Sequence, residues 1–221
     1  MIKTDRPLNA QAVSLRGFVS KGFPKLSLLH NHTFDSSFIY VFPRVQYHVI
    51  NGSAYIVGIE EGVDAIREVE SVLVELSLNR EAYKIVEKKG IESEVTFGVA
   101  ANRITYSFLT PWLALNEKNY EKYQRLGSWG RRKELLEKIL TGNLISISKS
   151  LGYTVPEPIR ANMHDLKEVK TSLKGIPMLG FLGTFSVNFE IPDYWGIGKS
   201  VSRGFGTVIK ARDGKKGRGI T

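Results

Sequence analysis

The 221-residue chain contains no cysteine. Disulfides, thiolate zinc sites and cysteine nucleophiles are therefore all excluded. Histidine is scarce as well, with four copies: His30, His32, His48 and His164. No stretch approaches the roughly 20 apolar residues of a membrane span. The opening MIKTDRPLNAQAV also lacks the apolar run that a secretory signal needs. A cytoplasmic protein with no membrane partner is expected. Acidic residues are outnumbered, 22 against 31 Lys and Arg, for a formal net charge of +9. That balance favours polyanionic partners through counterion release. With 42% hydrophobic and 24% charged residues, the composition is that of an ordinary globular protein. Its length suits one large domain or two of about 100 residues each.

Glycine, by contrast, is concentrated. Residues 196–206 read GIGKSVSRGFG, so that Gly196, Gly198, Gly204 and Gly206 form two Gly-apolar-Gly units five residues apart. Glycine loses the most backbone freedom on folding, and such density is tolerated where φ must be positive or another molecule must approach the main chain. Lys199, Ser200, Ser202 and Arg203 lie between the glycines, which points to an anionic visitor such as a phosphate backbone. Basic residues continue to the end: Lys199, Arg203, Lys210, Arg212, Lys215, Lys216 and Arg218 stand against a single acid, Asp213. A second cluster, GSWGRRK at 127–133, offers Trp129 for stacking on a base and Arg131 and Arg132 for phosphates. Cations are unfavourable at a helix start, and that oddness favours RNA binding over a purely structural role. Trp112 and Trp195 read as core or interface residues.

Periodicity gives the organisation. Residues 10–18 read as a first strand. Residues 38–50 read as an extended run with Val41, Val45, Tyr47 and Val49 on one face and Arg44, Gln46 and His48 on the other, a half-buried strand. Asn51-Gly52 predicts a tight hairpin, with 54–59 as the return strand. Glu61 opens a helix carrying Val63, Ile66, Val69, Leu73 and Leu76 at helical spacing, followed by a strand within 82–86. This order is the ferredoxin-like plan. The second half repeats it loosely: a strand at 102–109, helices at 117–126 and 131–151, and a long hairpin over 159–189 turning near Lys174-Gly175. The glycine loop then stands where a last helix belongs, and GFGTVIKA is the final strand. The fold class is α+β with two tandem ferredoxin-like (RRM-like) domains, 1–91 and 92–221.

His30 and His32 are one residue apart in LLHNHTFDSSFIY. In a helix such a pair points about 200° apart, and in an extended segment it points to one side. Two imidazoles beside a bound phosphodiester suggest a definite reaction. A neutral one takes the proton from a ribose 2′-hydroxyl, and a protonated one gives a proton to the departing 5′-oxygen. The nucleophile is internal to the RNA, so neither metal nor cofactor is expected. A structural His-x-His stays open, as does a zinc site using Asp35, although no spacing supplies a third ligand. His48 reads as a strand-surface residue that, with Arg44, could meet RNA, and His164 as structural.

The HNH segment and the glycine loop together resemble the CRISPR repeat-RNA endoribonucleases called the sixth Cas protein, of the RAMP group. Gly196-Ile197-Gly198, five residues, then Gly204-Phe205-Gly206 fits the family's G-h-G-x5-G-h-G loop without a gap. LLHNHTFDSSFIYVFPRVQYHVINGSAYIVGIEEG is similar to the b subtype. The resemblance covers residues 15–66 and 178–208. It implies tandem ferredoxin-like domains and metal-independent cleavage of precursor CRISPR RNA within repeats. It also implies His30 and His32 as the catalytic pair, Tyr40 as a helper, and Lys199 and Arg203 in the RNA-facing loop. Family members commonly carry lysine where this chain has His48. The rival within the group is a non-catalytic RAMP subunit that holds CRISPR RNA in an effector complex. Contact with other Cas proteins and homodimerisation are both left open.

Overall fold

The computed structural model describes residues 1–30 and 41–211, the His30 side chain excepted. His32, Asp35 and Tyr40, with the basic tail residues Arg212, Lys215, Lys216 and Arg218, lie outside the described residues. The first half runs β1 (Ile2–Thr4), α1 (Ala12–Gly22), α2 (Ser27–His30), β2 (Val45–Ile50), β3 (Ser53–Gly58), α3 (Gly62–Val72), β4 (Glu75–Leu78) and β5 (Glu81–Lys88). The second runs β6 (Gly98–Phe108), α4 (Glu117–Arg125), α5 (Trp129–Ser150), β7 (Ala161–Met163), β8 (Lys167–Leu173), β9 (Ile176–Leu182), β10 (Thr184–Glu190), a 3-10 turn (Val201–Arg203) and β11 (Val208–Lys210).

The two sheets share one antiparallel plan. Their strand orders are β2-β3-β1-β5-β4 and β11-β6-β10-β7. Numbered within each sheet, with β4 set aside as an extra edge strand and β8-β9 forming a separate pair, both read fourth-first-third-second, the ferredoxin-like order. The expected tandem pair of such units is therefore what the chain forms. In the second unit the glycine loop, with its single 3-10 turn, does replace the last helix. Each half has its own apolar cluster. One joins Leu15, Val19, Tyr47, Val69 and Tyr83. The other joins Leu136, Leu140, Leu144, Phe185 and Phe189, and takes in Phe42 and Ile59 from the first half.

Several expectations are corrected. Residues 10–18 are not a strand: Ala12, Leu15 and Val19 are buried at helical spacing on α1. The true first strand is the three-residue β1, too short to show a period and held by pairing to β3 and β5. The helix opening near Glu61 ends at Val72, and Leu76 belongs to β4. The 159–189 hairpin divides. β8 and β9 pair alone around Lys174-Gly175, while β7 and β10 pair within the sheet. Gly183, at φ 134°, makes the break between β9 and β10 because Asp165 and Leu166 leave no room for a Cβ there. Asn51 and Gly52 form the expected turn with φ of 49° and 74°.

The largest correction concerns β2. Its expected solvent face is buried: Gln46 and His48 are both fully inaccessible. The second half covers that face, which alternation within one strand cannot reveal. Among the described residues no helix is long and apolar enough to cross a membrane.

Candidate nucleic-acid interface

The glycine loop is a hairpin closed on itself and docked on both halves. At its base, the Ile197 N–H donates to the Gly206 carbonyl (2.9 Å) and the Val208 N–H to the Trp195 carbonyl (2.9 Å). The Gly206 N–H donates to the Pro111 carbonyl (2.9 Å). At its tip, Val201 and Ser202 point inward and are buried. Lys199 is exposed and Arg203 partly exposed. The alternation of apolar and cationic residues thus sorts the loop into an anchoring face and a charged face.

The glycines serve the anchoring. A Cβ at Gly196 would lie 2.6 Å from Val201 Cβ, one at Gly198 2.6 Å from Trp112 Nε1, and one at Gly204 2.5 Å from Ala12 Cβ of α1. At Gly206 it would run into the Ile197 carbonyl. The close approach expected from a phosphate is made by the protein itself. What the tip leaves for an anion is charge, on Lys199 and Arg203.

β2 supplies the other half of the dock. Gln46 Oε1 accepts from the Gly196 N–H (2.8 Å). His48 Nδ1 bonds Thr207 Oγ1 (2.8 Å), which is also bonded to Thr110 Oγ1 (2.9 Å). With Thr110 donating to Thr207, the Thr207 hydroxyl donates to Nδ1, and the neutral ring keeps its proton on Nε2. Nε2 is buried and makes no hydrogen bond of good geometry among the described residues, the Tyr194 backbone being its weak neighbour. Burial pushes His48 down from its ordinary 6.5 to about 4, against a smaller upward pull from the Tyr194 backbone. His48 is therefore an interior ring at the junction of the halves, and it does not present itself to RNA.

That burial carries a pH signature. A histidine with a depressed folded pKa stabilises fully above its unfolded pKa and loses the contribution as pH falls through the folded value. Between pH 6.5 and 4, His48 should cost on the order of 3 kcal/mol. Urea unfolding of the wild type and of His48→Gln across this window should show the excess loss in the wild type alone. Parallel pH curves would sink the assignment.

Arg44 is likewise committed within the protein. Its guanidinium pairs with Glu60 (3.0 Å) and Glu61 (3.1 Å) and donates to the Ser150 carbonyl at the end of α5 (2.9 Å). At the start of α5, Arg132 lies 4.8 Å above the Tyr123 ring and donates to the Leu126 carbonyl (3.0 Å). Trp129 and Arg131 are exposed, so this cluster keeps one ring and one cation for a ligand. It stands apart from the loop tip, because fourteen helical residues, about 21 Å, separate Trp129 from Asn143 of α5, which lies beside the loop.

One cation escaped the sequence reading. Arg16 of α1 donates to Ser202 Oγ at the loop tip (3.4 Å). Burial and the neighbouring Arg203 charge together push its pKa down. Reading 12–22 as a helix would have placed Arg16 beside the buried stripe, where α1 meets the loop. His164 is exposed, its N–H bonded to the Thr184 carbonyl (2.9 Å).

Comparison with known proteins closes the picture. Residues 1–96 match the Cas6b N-terminal domain and residues 98–211 the Cas6b C-terminal domain. A crystal structure of Cas6b is 38% identical, covering 93% of this chain and 94% of its own, with a TM-score of 0.86. A second, of the CRISPR RNA processing endoribonuclease Cas6b, is 33% identical over 89% of both chains, with a TM-score of 0.68. An uncharacterized protein of Methanocaldococcus jannaschii is 48% identical over 139 residues, 63% of this chain and 94% of its own.

Proposed function

Because the chain belongs to the Cas6b family, we propose that it is an endoribonuclease that cuts precursor CRISPR RNA within its repeats. One of His30 and His32, neutral, takes the proton from the 2′-hydroxyl beside the scissile phosphate. The 2′-oxygen then attacks phosphorus, and the bond to the 5′-oxygen breaks. The other imidazole, protonated, gives its proton to that 5′-oxygen. The products are a 2′,3′-cyclic phosphate and a 5′-hydroxyl, with Tyr40 assisting at the site. Histidine suits both roles near neutrality.

The observation that best supports an RNA partner is the meeting of Arg16 and Arg203 at the loop tip. Two cations held near one another give the loop tip concentrated positive charge, which attracts a phosphate. Lys199 extends that surface, and the net charge of +9 draws the polyanion in.

Repeat RNA incubated with the protein in EDTA should be cut at one position in each repeat. A 2′-deoxyribose at that position should abolish cutting and spare binding. Cleavage of the deoxy substrate would refute the mechanism. Folded protein that binds repeat RNA without cutting it would leave the role of a binding subunit. Arg16→Ala and Arg203→Ala should each flatten the dependence of log affinity on log salt by about 0.7. Unchanged slopes would remove the loop tip from the RNA path.

A further inference from the structure

Between α5, the segment 113–116 and residues 198–199 of the glycine loop lies a groove of about 440 Å³. Phe42, Leu113 and Ile147 give it apolar walls, and Asn143, Ser146 and Lys199 bring polar groups to it. A pocket of this kind, mostly apolar with a few convergent donors, is the usual form of a small-ligand site.

Asn143 is held with one polarity. The Trp112 indole N–H, which can only donate, bonds Asn143 Oδ1 (3.2 Å). Trp112 is itself immobilised, fully buried and stacked on Phe108 at 5.3 Å. The Asn143 amide therefore keeps its two Nδ2 hydrogens, which meet no acceptor among the described residues. Ser146 differs from its neighbour in the same way. Ser148 folds its hydroxyl back onto the Leu144 carbonyl (2.8 Å), the common fate of a mid-helix serine, whereas the Ser146 hydroxyl makes no such bond. Lys199 adds a cation at the rim.

Phe42 places the groove along the chain. It follows Tyr40 by two residues, and its N–H is pinned to Ser150 Oγ of α5 (2.8 Å). In the sequence, Phe42 directly follows the segment that carries the histidine pair.

We propose that the groove is a base-binding subsite for one unstacked nucleotide flanking the scissile phosphate. The base lies between the apolar walls. Asn143 Nδ2 donates to a ring-edge acceptor, a pyrimidine O2 or a purine N3 or N7, and Ser146 seconds it. Lys199 holds the adjoining phosphate. Single-stranded RNA is recognised in this manner, through splayed bases read on their edges. The subsite rests on the endoribonuclease reading above.

The test uses the full chain and repeat RNAs carrying one abasic position at a time within three nucleotides of the cut. For the wild type, one abasic position should lower kcat/KM about ten-fold or more. In Ser146→Ala and in Asn143→Asp, which keeps an acceptor for Trp112 but loses the donor, that penalty should shrink toward none. Each variant should keep the wild-type thermal midpoint. Added negative charge in Asn143→Asp would weaken all RNAs alike, whereas loss of a base contact erases the difference between intact and abasic RNA. An unchanged abasic penalty in both variants, or none in the wild type, overturns the subsite while cleavage itself stands. Wild-type protein that neither binds nor cuts repeat RNA overturns the functional reading and the subsite with it.

Discussion

Replacing both His30 and His32 with alanine is expected to lower single-turnover cleavage of repeat RNA by about 10^4-fold, with affinity for the RNA left within about two-fold of the wild type. Each single variant should lose about 10^2- to 10^4-fold. The double variant should fall little further than the worse single one, because the two rings act as a unit. The pH profile gives the sign of each role. The base must be neutral, so the rate falls on the acid side; the acid must be protonated, so it falls on the alkaline side. Removing one ring should remove one limb. The other two histidines do not blur this assay. His48 is buried and pushed down to about 4, and His164 is an exposed residue just beyond β7. A double variant cutting within ten-fold of the wild type would move the chemistry elsewhere.

The second large effect is structural. Gly206 has a φ of 67° and no room for a Cβ against the Ile197 carbonyl. Gly206→Ala should destabilise the protein on the order of 3 kcal/mol, combining left-handed strain with a backbone clash that cannot relax cheaply. Gly204→Ala separates the two causes. Its φ is 86°, and its Cβ would meet Ala12 Cβ on α1. Pairing it with Ala12→Gly should recover part of the steric share, leaving the close approach to the Tyr47 carbonyl and a conformational cost of about 1 kcal/mol. Gly142→Ala in α5, where a Cβ meets nothing within 4 Å, should instead raise stability by up to about 1 kcal/mol. Urea midpoints measured together decide the matter. A Gly206→Ala protein as stable as the wild type would mean that the loop is not clamped as described.

Local chemistry was legible in the sequence wherever a single element carried it. The turn at Asn51-Gly52, the stripe of α5 and the alternation of β6 each follow from spacing within one segment. The glycine loop is recognisable as exceptional from its spacing, but spacing does not show that the atoms crowding its glycines come from α1, β2, Trp112, Leu113 and the loop itself. β1 was missed because three residues, IKT, carry no period. Their strand state is imposed by partners 50 and more residues away: Ala54 and Lys88 face Ile2. Gln46 and His48 were placed on a wet face for the same reason. A strand pattern reports polarity, and polar residues can be matched by another domain as well as by water. Arg44 shows it too, with a side chain 13% exposed whose charge is met by Glu60 and Glu61.

The bond from the Gly196 N–H to Gln46 Oε1 spans 150 positions and sits in the seam between the two sheets. An amide so placed exchanges its hydrogen only when the seam parts or the whole chain unfolds. Gly196 is consequently a built-in gauge of how often the two halves let go of each other. Its protection, set beside that of a β10 core amide such as Val187, would separate the loosening of the junction from the melting of either sheet.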